Sequence, residues 1–404
     1  MGEFDLIERF FKQKAAPTPA NQAQTATNSI VLGIGDDCAL LQPAPGMQLA
    51  VSTDMLVEGR HFFADVDPLA LGHKALAVNL SDLAAMGATP LAFTLALALP
   101  PARAQDAGWL DAFSDGLLAL AGAHGCALVG GDTTAGPLAI CITVFGQMPA
   151  GQALRRDGAQ AGDELWVSGT LGDARLALGA LRGEWTLPAA ALAAARQRLE
   201  RPTPRVALGL ALRGIATSCI DVSDGLVGDV GHILKASGVG AVIEIQETIE
   251  LIAVRALLTS ATGQFDSNAP ASSRASVAPH PTLSPEGRGR SAAPDLHPPP
   301  TGKGSPVFLP LPLGEGRGEG QPRNPAQPPH PTQWLTRCVL SGGDDYELAF
   351  TAPPSAHAAV QAAAKHCATP VTRIGRITAA PGLRLVDAQG HEMASDFRSF
   401  DHFA

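Results

Sequence analysis

The sequence predicts a two-domain α/β (α+β) fold, and three observations support this. The chain has 404 residues, 46% of them hydrophobic, which is enough for two packed cores. Short strand-like runs alternate with helix-like stretches in both halves. A second series of such runs begins near Gly151. We therefore expect an N-terminal domain over 1–150 and a C-terminal domain over 151–404.

The N-terminal half contains the first series of elements. Predicted strands are Ser29–Gly33, Gln48–Ser52, Ala127–Val129 and Ala139–Phe145, and predicted helices are Pro68–Gly87 and Ala102–Gly125. Gly87 can adopt the left-handed backbone conformation that commonly ends a helix.

The C-terminal half contains the second series. Predicted strands are Glu164–Ser168, Ser218–Val222, Thr336–Leu340 and Glu347–Thr351, and predicted helices are Gly172–Leu181 and Ala189–Glu200.

A Pro-rich stretch over 264–333 interrupts the C-terminal half. It holds sixteen of the 33 prolines and no isoleucine. Such a composition buries too little apolar surface to offset chain entropy. We expect a disordered insertion in a surface loop, with a Pro-rich ligand for a partner protein as the alternative.

Charge and cysteine usage exclude several classes of protein. The net charge of −9 argues against sequence-independent binding of nucleic acid, which needs a basic face. Six scattered cysteines without a CxxC pair favour a reducing compartment. The acidic N-terminal residues are unlike a signal peptide, and no apolar run is long enough to span a bilayer. We expect a cytoplasmic protein.

One local design recurs along the chain: an apolar run, then Gly or Ser, then aspartate. It places carboxylates at Asp36, Asp37, Asp54, Asp132, Asp221, Asp224, Asp344 and Asp345, and a further carboxylate, Asp82, lies in the predicted helix Pro68–Gly87. The design occurs five times. A single occurrence is ordinary turn chemistry, but five together suit Mg²⁺, a hard cation that is bound by carboxylates and substrate phosphates together. Because GxxxxGK[ST] and the kinase HRD and DFG loops are absent, we expect phosphoryl transfer on another fold.

The motifs GIGDDCALL, STDMLVEGRHF, NLSDLAAMGATP, LVGGDTT, DVSDGL and SGGDDYELAF, with FDHFA at the end, together resemble the thiamine-monophosphate kinase family. The resemblance covers the chain from Gly2 onward except the insertion. It implies the aminoimidazole-ribonucleotide synthetase-like fold of two α/β domains, and a homodimer whose N-terminal strands meet at the interface. It also implies phosphorylation of thiamine monophosphate by ATP, in direct in-line transfer with several Mg²⁺ ions.

The resemblance also implies roles for individual residues. The Mg²⁺ positions are Asp37, Ser52, Thr53, Asp54, Asp82, Asp132, Asp221 and Asp224. The nucleotide positions are Gly131, Asp132, Arg156 and Ser223, and the thiamine monophosphate positions are His61, Asp344 and Phe400. No covalent or general-base residue is implied.

Some positions remain open at this level. The family motif SGGED reads SGGDD here, so Asp344 is one methylene shorter and its ligand contact could be water-mediated. Lys74 lies about 80° around the helix from Asp82; we leave it out of the site, as a surface lysine is an equal alternative. We interpret Tyr346 as structural.

Two alternative functions are considered. One is another enzyme of the superfamily, a hydrogenase-maturation dehydratase or a selenophosphate synthetase. The first needs a C-terminal thiol and the second an N-terminal Cys or selenocysteine, and neither is present. The other alternative is a non-catalytic nucleotide-binding scaffold, which the full set of aspartates disfavours.

Overall fold

The computed structural model describes residues 2–15, 29–259, 331–393 and 397, all within one compact unit of the chain. The predicted insertion lies outside these residues, except that Pro331, Thr332 and Gln333 begin a helix.

Helices and strands alternate through the described residues. The helices are α1 (Glu3–Leu6), α2 (Gln13–Ala15), α3 (Pro68–Ala85), α4 (Pro101–Ala104), α5 (Ala107–Ala123), α6 (Asp173–Leu181), α7 (Ala189–Glu200), α8 (Val206–Ala211), α9 (Leu226–Ser237), α10 (Ile245–Ile249), α11 (Arg255–Thr259), α12 (Pro331–Ser341) and α13 (His357–His366), with a π-helical stretch at Ile7–Lys12 and a 3₁₀ turn at Pro354–Ala356. The strands are β1 (Ile30–Leu32), β2 (Leu40–Leu41), β3 (Met47–Val57), β4 (Thr89–Leu99), β5 (Ala127–Ala135), β6 (Ala139–Pro149), β7 (Glu164–Ser168), β8 (Ser218–Val222), β9 (Gly240–Glu244), β10 (Glu347–Ala352), β11 (Val371–Thr378) and β12 (Gly382–Val386). None of these helices combines the length and the apolar character needed to cross a lipid bilayer.

The first large sheet has the strand order β3-β6-β4-β5. Strand β6 pairs antiparallel with β3 and with β4, and β4 pairs parallel with β5. Strand β3 is an edge strand whose side chains alternate between two faces. Ser52, Asp54 and Leu56 lie on the less exposed face, and Val51, Thr53 and Met55 on the exposed one.

Helices α3 and α5 pack against each other and against this sheet. Asp67 caps α3 by accepting from the backbone N–H of Ala70 at 3.0 Å, with Pro68 in the first turn. Gly87, with φ of 64°, ends the helix as predicted. The helices approach closely at Gly116, where a Cβ atom would lie 1.9 Å from the Leu69 carbonyl oxygen.

The second large sheet has the strand order β12-β9-β11-β7-β10-β8. All neighbours pair antiparallel except β9 and β12. Helix α3 also contacts β8 and β10 of this sheet. It therefore touches both sheets, which makes it the natural place for a site built from both halves of the chain.

Two predicted elements are wrong. Thr336–Leu340 is not a strand but part of helix α12. Its five residues are too short a run to separate a helix from a strand by periodicity. The predicted helix Ala102–Gly125 is two helices, because Asp106 accepts from the N–H of Trp109 at 3.0 Å and starts a new one.

Candidate active site

Helix α3 supplies buried polar groups that bind to the neighbouring strands. Asn79 and Ser81 are fully buried. The Asn79 Oδ1 atom accepts from the backbone N–H of Asp54 on β3 at 3.2 Å, and the Ser81 hydroxyl donates to Asp221 Oδ2 on β8 at 2.9 Å. Since buried polar groups are costly unless they are paired, these bonds hold one strand of each sheet against the helix.

Four aspartates, Asp54, Asp82, Asp221 and Asp224, form the carboxylate cluster. Asp54 lies on β3, Asp82 on α3 and Asp221 on β8, and Asp224 follows β8. The Ser52 hydroxyl donates a short hydrogen bond to Asp82 Oδ2. The structure thus brings together five of the residues predicted as Mg²⁺ positions.

Burial raises the pKa of three of these carboxyl groups, those of Asp54, Asp82 and Asp221. Burial and then the charges of Asp82 and Asp224 raise the pKa of Asp54 to about 7. Burial, then the charge of Asp82, also raises the pKa of Asp221. The ionised cluster is therefore under mutual repulsion that a bound cation would relieve.

One predicted nucleotide residue, Arg156, acts on this cluster. Burial raises the pKa of Asp82, while the Ser52 hydroxyl bond and the Arg156 positive charge oppose that rise. The neighbouring Arg155 instead forms an ion pair with Asp157 at 2.5 Å. Arg156 is therefore the arginine of this pair whose charge reaches the cluster.

Asp229 is a functional candidate that sequence reasoning missed. It is buried in the first turn of α9, and its Oδ2 atom accepts from the backbone N–H groups of Ser223 and Asp224, both at 3.1 Å. Burial raises its pKa to about 7. The signal available in the sequence is its position five residues after Asp224, where a helix N-terminus can turn a carboxylate back onto the preceding loop.

The loop before β10 packs on the same turn. The Asp344 N–H donates to the Ser223 carbonyl at 2.9 Å, and the Tyr346 N–H donates to the Val222 carbonyl at 2.8 Å. Asp344 and Tyr346 have positive φ angles of 68° and 53°. Burial and the charges of Asp344, Asp54, Asp221 and Asp224 raise the pKa of Tyr346. The predicted substrate residue Asp344 thus lies beside the carboxylate cluster.

Lys74, which the sequence leaves open between a surface position and a site position, is not a surface lysine. The residue is only 2% exposed, and its ammonium Nζ donates to Asp344 Oδ1 at 2.8 Å. It also donates to the His61 carbonyl at 3.4 Å. Its partners lie on other segments of the chain, so the helical position alone could not decide between a surface and a site lysine.

His61, a second predicted substrate residue, lies in the turn after β3. Its Nδ1 atom accepts from the Val57 backbone N–H at 3.0 Å. A neutral His61 ring with this bond carries its proton on Nε2.

The remaining predicted residues lie on other segments or faces of the described chain, or outside its described part. The Thr53 hydroxyl pairs with that of Thr143 at 2.9 Å on the exposed face of the sheet. Asp37 is exposed in the loop after β1, and Asp132 is exposed on β5. Phe400 falls outside the described residues.

Gly131 precedes Asp132 on β5 and has a structural requirement of its own. Its φ is 152°, and a Cβ atom there would lie 1.9 Å from the Leu95 carbonyl oxygen. Only glycine allows β5 to approach β4 this closely.

Within the described ranges, no three His, Cys, Asp or Glu side chains are arranged as a preformed metal site. Two cluster carboxylates bond to hydroxyl groups instead, Asp82 to Ser52 and Asp221 to Ser81. Since Mg²⁺ is commonly held by one or two carboxylates plus waters and substrate phosphates, the donor set still fits that ion.

Comparison with known proteins identifies the family. Residues 35–148 match the family described as AIR synthase related protein, N-terminal domain. The whole chain is 37% identical to the thiamine-monophosphate kinase of Salmonella typhimurium, covering 98% of that protein. It is 38% identical to the enzyme of Escherichia coli K12, again covering 98%.

Solved structures agree with this result. The crystal structure of thiamine-monophosphate kinase from Stenotrophomonas maltophilia is similar with a TM-score of 0.68 and 38% identity, over 97% of this chain and 98% of that one. The hydrogenase maturation protein HypE of E. coli has a TM-score of 0.63 at 20% identity, over 98% of this chain and 97% of that one. The second likeness shows a shared fold only, so sequence identity distinguishes the two families. The chain belongs to the thiamine-monophosphate kinase family.

Proposed function

We propose that this protein transfers the γ-phosphoryl group of ATP to thiamine monophosphate, which forms thiamine diphosphate. The observation that carries the proposal is identity of 37–38% to thiamine-monophosphate kinases over the whole chain. The clustered carboxylates, with Arg156 acting on Asp82, give this assignment a site suited to phosphate chemistry.

The reaction asks mainly for positioning and charge neutralisation. The acceptor phosphate is largely ionised near neutral pH, so no side chain has to remove a proton from it. The chief barrier is repulsion between donor and acceptor phosphates. We assign the ATP contacts to Gly131, Asp132, Arg156 and Ser223. For Ser223 we assign the hydroxyl, because its N–H and C=O bond to Asp229 and Asp344.

We assign Mg²⁺ to this site because hard carboxylate oxygens repel one another there. The residues that would hold the several Mg²⁺ ions between them are Asp37, Ser52, Thr53, Asp54, Asp82, Asp132, Asp221 and Asp224. When bound, Mg²⁺ supplies positive charge that neutralises the phosphate oxygens during transfer. The chain's own contribution is to hold the acids in place through Asn79 and Ser81.

For thiamine monophosphate we assign contacts to His61, Asp344 and Phe400. Both of the first two lie next to Lys74, which supports a common ligand-binding region. A carboxylate such as Asp344 also suits the positive charge of the thiazolium ring.

We further assign a homodimer formed through the exposed face of β3. Leu49, Val51 and Met55 are 46%, 55% and 55% exposed. An exposed strand face that is apolar apart from Thr53 marks an interaction surface. The N-terminal domain over 1–150, which carries this strand, would then bind ATP and Mg²⁺ and form the dimer contact. The domain over 151–404 would supply the other site residues, which are Arg156, Asp221, Ser223, Asp224, Asp344 and Phe400. The six free cysteines and the use of ATP support a cytoplasmic location.

A direct assay tests the proposed activity. We expect the purified protein, incubated with ATP, MgCl₂ and thiamine monophosphate, to form thiamine diphosphate and ADP in equal amounts. Chromatography measures both products. Chelation with EDTA should stop the reaction, and excess MgCl₂ should restore it. If the protein binds ATP but forms no thiamine diphosphate, the result contradicts the proposed kinase activity and favours a non-catalytic nucleotide-binding scaffold.

A further inference from the structure

We propose that Lys74 is a positioning residue for the acceptor substrate, because its buried ammonium group joins the two chain segments that carry His61 and Asp344. This inference rests on the proposed function, in which these two residues contact thiamine monophosphate.

The first step is the burial of the charge. The Lys74 side chain is 3% exposed, whereas the Asp344 side chain is 28% exposed. A buried ammonium group is tolerated only where it is paired and hydrogen-bonded. Lys74 meets this condition through Asp344 Oδ1 at 2.8 Å and the His61 carbonyl at 3.4 Å.

The second step is what these bonds connect. Lys74 lies on α3, His61 in the turn after β3, and Asp344 in the loop before β10. Lys74 and Asp344 are 270 residues apart in the sequence. One side chain therefore sets the spacing between two ligand-facing segments from opposite ends of the chain.

The third step concerns the orientation of Asp344. Its backbone is fixed in a left-handed conformation with φ of 68°, and its N–H bonds to the Ser223 carbonyl. Lys74 then fixes one carboxylate oxygen. The Asp344 carboxylate is thereby held in one orientation, and its exposed part can still contact the acceptor substrate.

The fourth step is electrostatic. The charges of Asp344, Asp54, Asp221 and Asp224 all reach Tyr346, so Asp344 lies at the edge of a crowded negative region. An unpaired Asp344 would be repelled by the cluster and free to take other side-chain orientations. The Lys74 ion pair prevents both and keeps Asp344 for the thiazolium-bearing substrate.

The test uses Lys74→Met, which keeps most of the length of the side chain and removes its charge. We expect KM for thiamine monophosphate to rise about tenfold or more, with KM for ATP changed less than about twofold. Lys365→Met, at an exposed lysine on α13, is the matched control and should leave both constants unchanged. A purely structural role would move both KM values together.

A double-mutant cycle with Asp344→Asn completes the test. If Lys74 acts through Asp344, the double variant should be no worse than the poorer single variant. Additive losses, an unchanged KM for thiamine monophosphate, or equal changes in both KM values would overturn the inference.

Two further outcomes are separable. If Lys74→Met does not fold, Lys74→Arg should show the same selective rise at a smaller size, and an unselective change would reject the inference. An inactive wild-type protein would reject the proposed function together with the inference. An active wild type with an unaffected Lys74→Met rejects the inference alone.

Discussion

At the scale of single residues, the ionised form of Asp221 lowers the free energy of unfolding. It is 4% exposed, and its ionised form is opposed by burial and by Asp82, Asp229 and Asp54, while the Ser81 hydroxyl bond favours it. The folded protein therefore holds this proton to a higher pH than the unfolded chain does. Ionisation of Asp221 in the absence of metal must cost folding free energy.

The sign of the pH dependence follows from this shift. The ordinary pKa of an aspartate is about 3.8, and burial together with the charge of Asp82 raises the pKa of Asp221 in the folded protein to about 8. Between these values the folded state binds more protons, so the free energy of unfolding falls as pH rises. With EDTA at pH 8, Asp221→Asn should melt at a higher temperature than the wild type, and its free energy of unfolding should be larger by about 1 kcal/mol or more. At pH 4 the two proteins should differ little.

Thermal melts at both pH values check this prediction. Added MgCl₂ should raise the melting temperature of the wild type at pH 8 more than that of the variant. The variant should also lose phosphoryl transfer. Equal pH dependence in the two proteins would show that Asp221 is not the repelled group.

The residue scale also shows the limit of sequence reasoning. The aspartates were found because strand ends followed by Gly or Ser and Asp form a local pattern. Lys74 and Asp229 have no such pattern: the first is defined by a partner 270 residues away, and the second by two backbone N–H groups. Burial and pairing across the fold are what identify them.

At the scale of elements, the contact between α3 and α5 depends on glycine. A Cβ atom at Gly116 would lie 1.9 Å from the Leu69 carbonyl oxygen, whereas at Gly122, on the same helix, nothing lies within 4 Å. Gly116→Ala should therefore force the helices apart and destabilise the protein by about 3 kcal/mol. Gly122→Ala should be neutral or stabilise by up to about 0.5 kcal/mol.

Urea unfolding of both variants measures this difference. Because α3 also contacts β8 and β10, Gly116→Ala should lower activity as well. Similar unfolding free energies for the two variants would mean that the helices repack without cost.

Elements with clear ends were predicted well, and elements without them were not. Strands β7 and β8 and helix α7 have the predicted bounds, since each is a compact apolar or Ala-rich run beside polar turns. The sequence pattern does not reveal strand β4, because its apolar residues do not alternate with polar ones. Four successive residues, Pro90, Leu91, Ala92 and Phe93, are buried, so both faces of this part of the strand are covered. The sequence predicts a strand in place of helix α12, because the first turn of this helix lies in the Pro-rich stretch.

At the scale of the whole molecule, the exposed apolar face of β3 predicts assembly. Val51→Glu puts a charge on a residue that is 55% exposed, so the monomer should fold normally. The charge should weaken dimerisation on the order of a hundredfold, since an unpaired charge would be buried at the interface. Sedimentation velocity over a range of concentrations checks this.

Met393→Glu, at a residue 42% exposed and outside that face, is the matched control and should remain dimeric. A wild-type protein that is monomeric at every concentration would contradict the proposed assembly. So would a Val51→Glu variant with unchanged association.

The role of the Pro-rich stretch is also decided at this scale. Its composition predicts no contribution to the core, and α10, before it, contacts α12, after it, so a short linker can rejoin the chain. Replacing 264–330 by about six Gly and Ser residues should leave kcat/KM within about twofold of the wild type.

Extending the deletion to Gln333 removes the first turn of helix α12. The later part of this helix contributes the buried residues Cys338, Val339 and Leu340. The longer deletion should therefore unfold at a lower urea concentration, with a free energy of unfolding smaller by about 1–2 kcal/mol. A folded shorter deletion without activity would show that the stretch takes part in function, because composition argues only that it is not needed for the core.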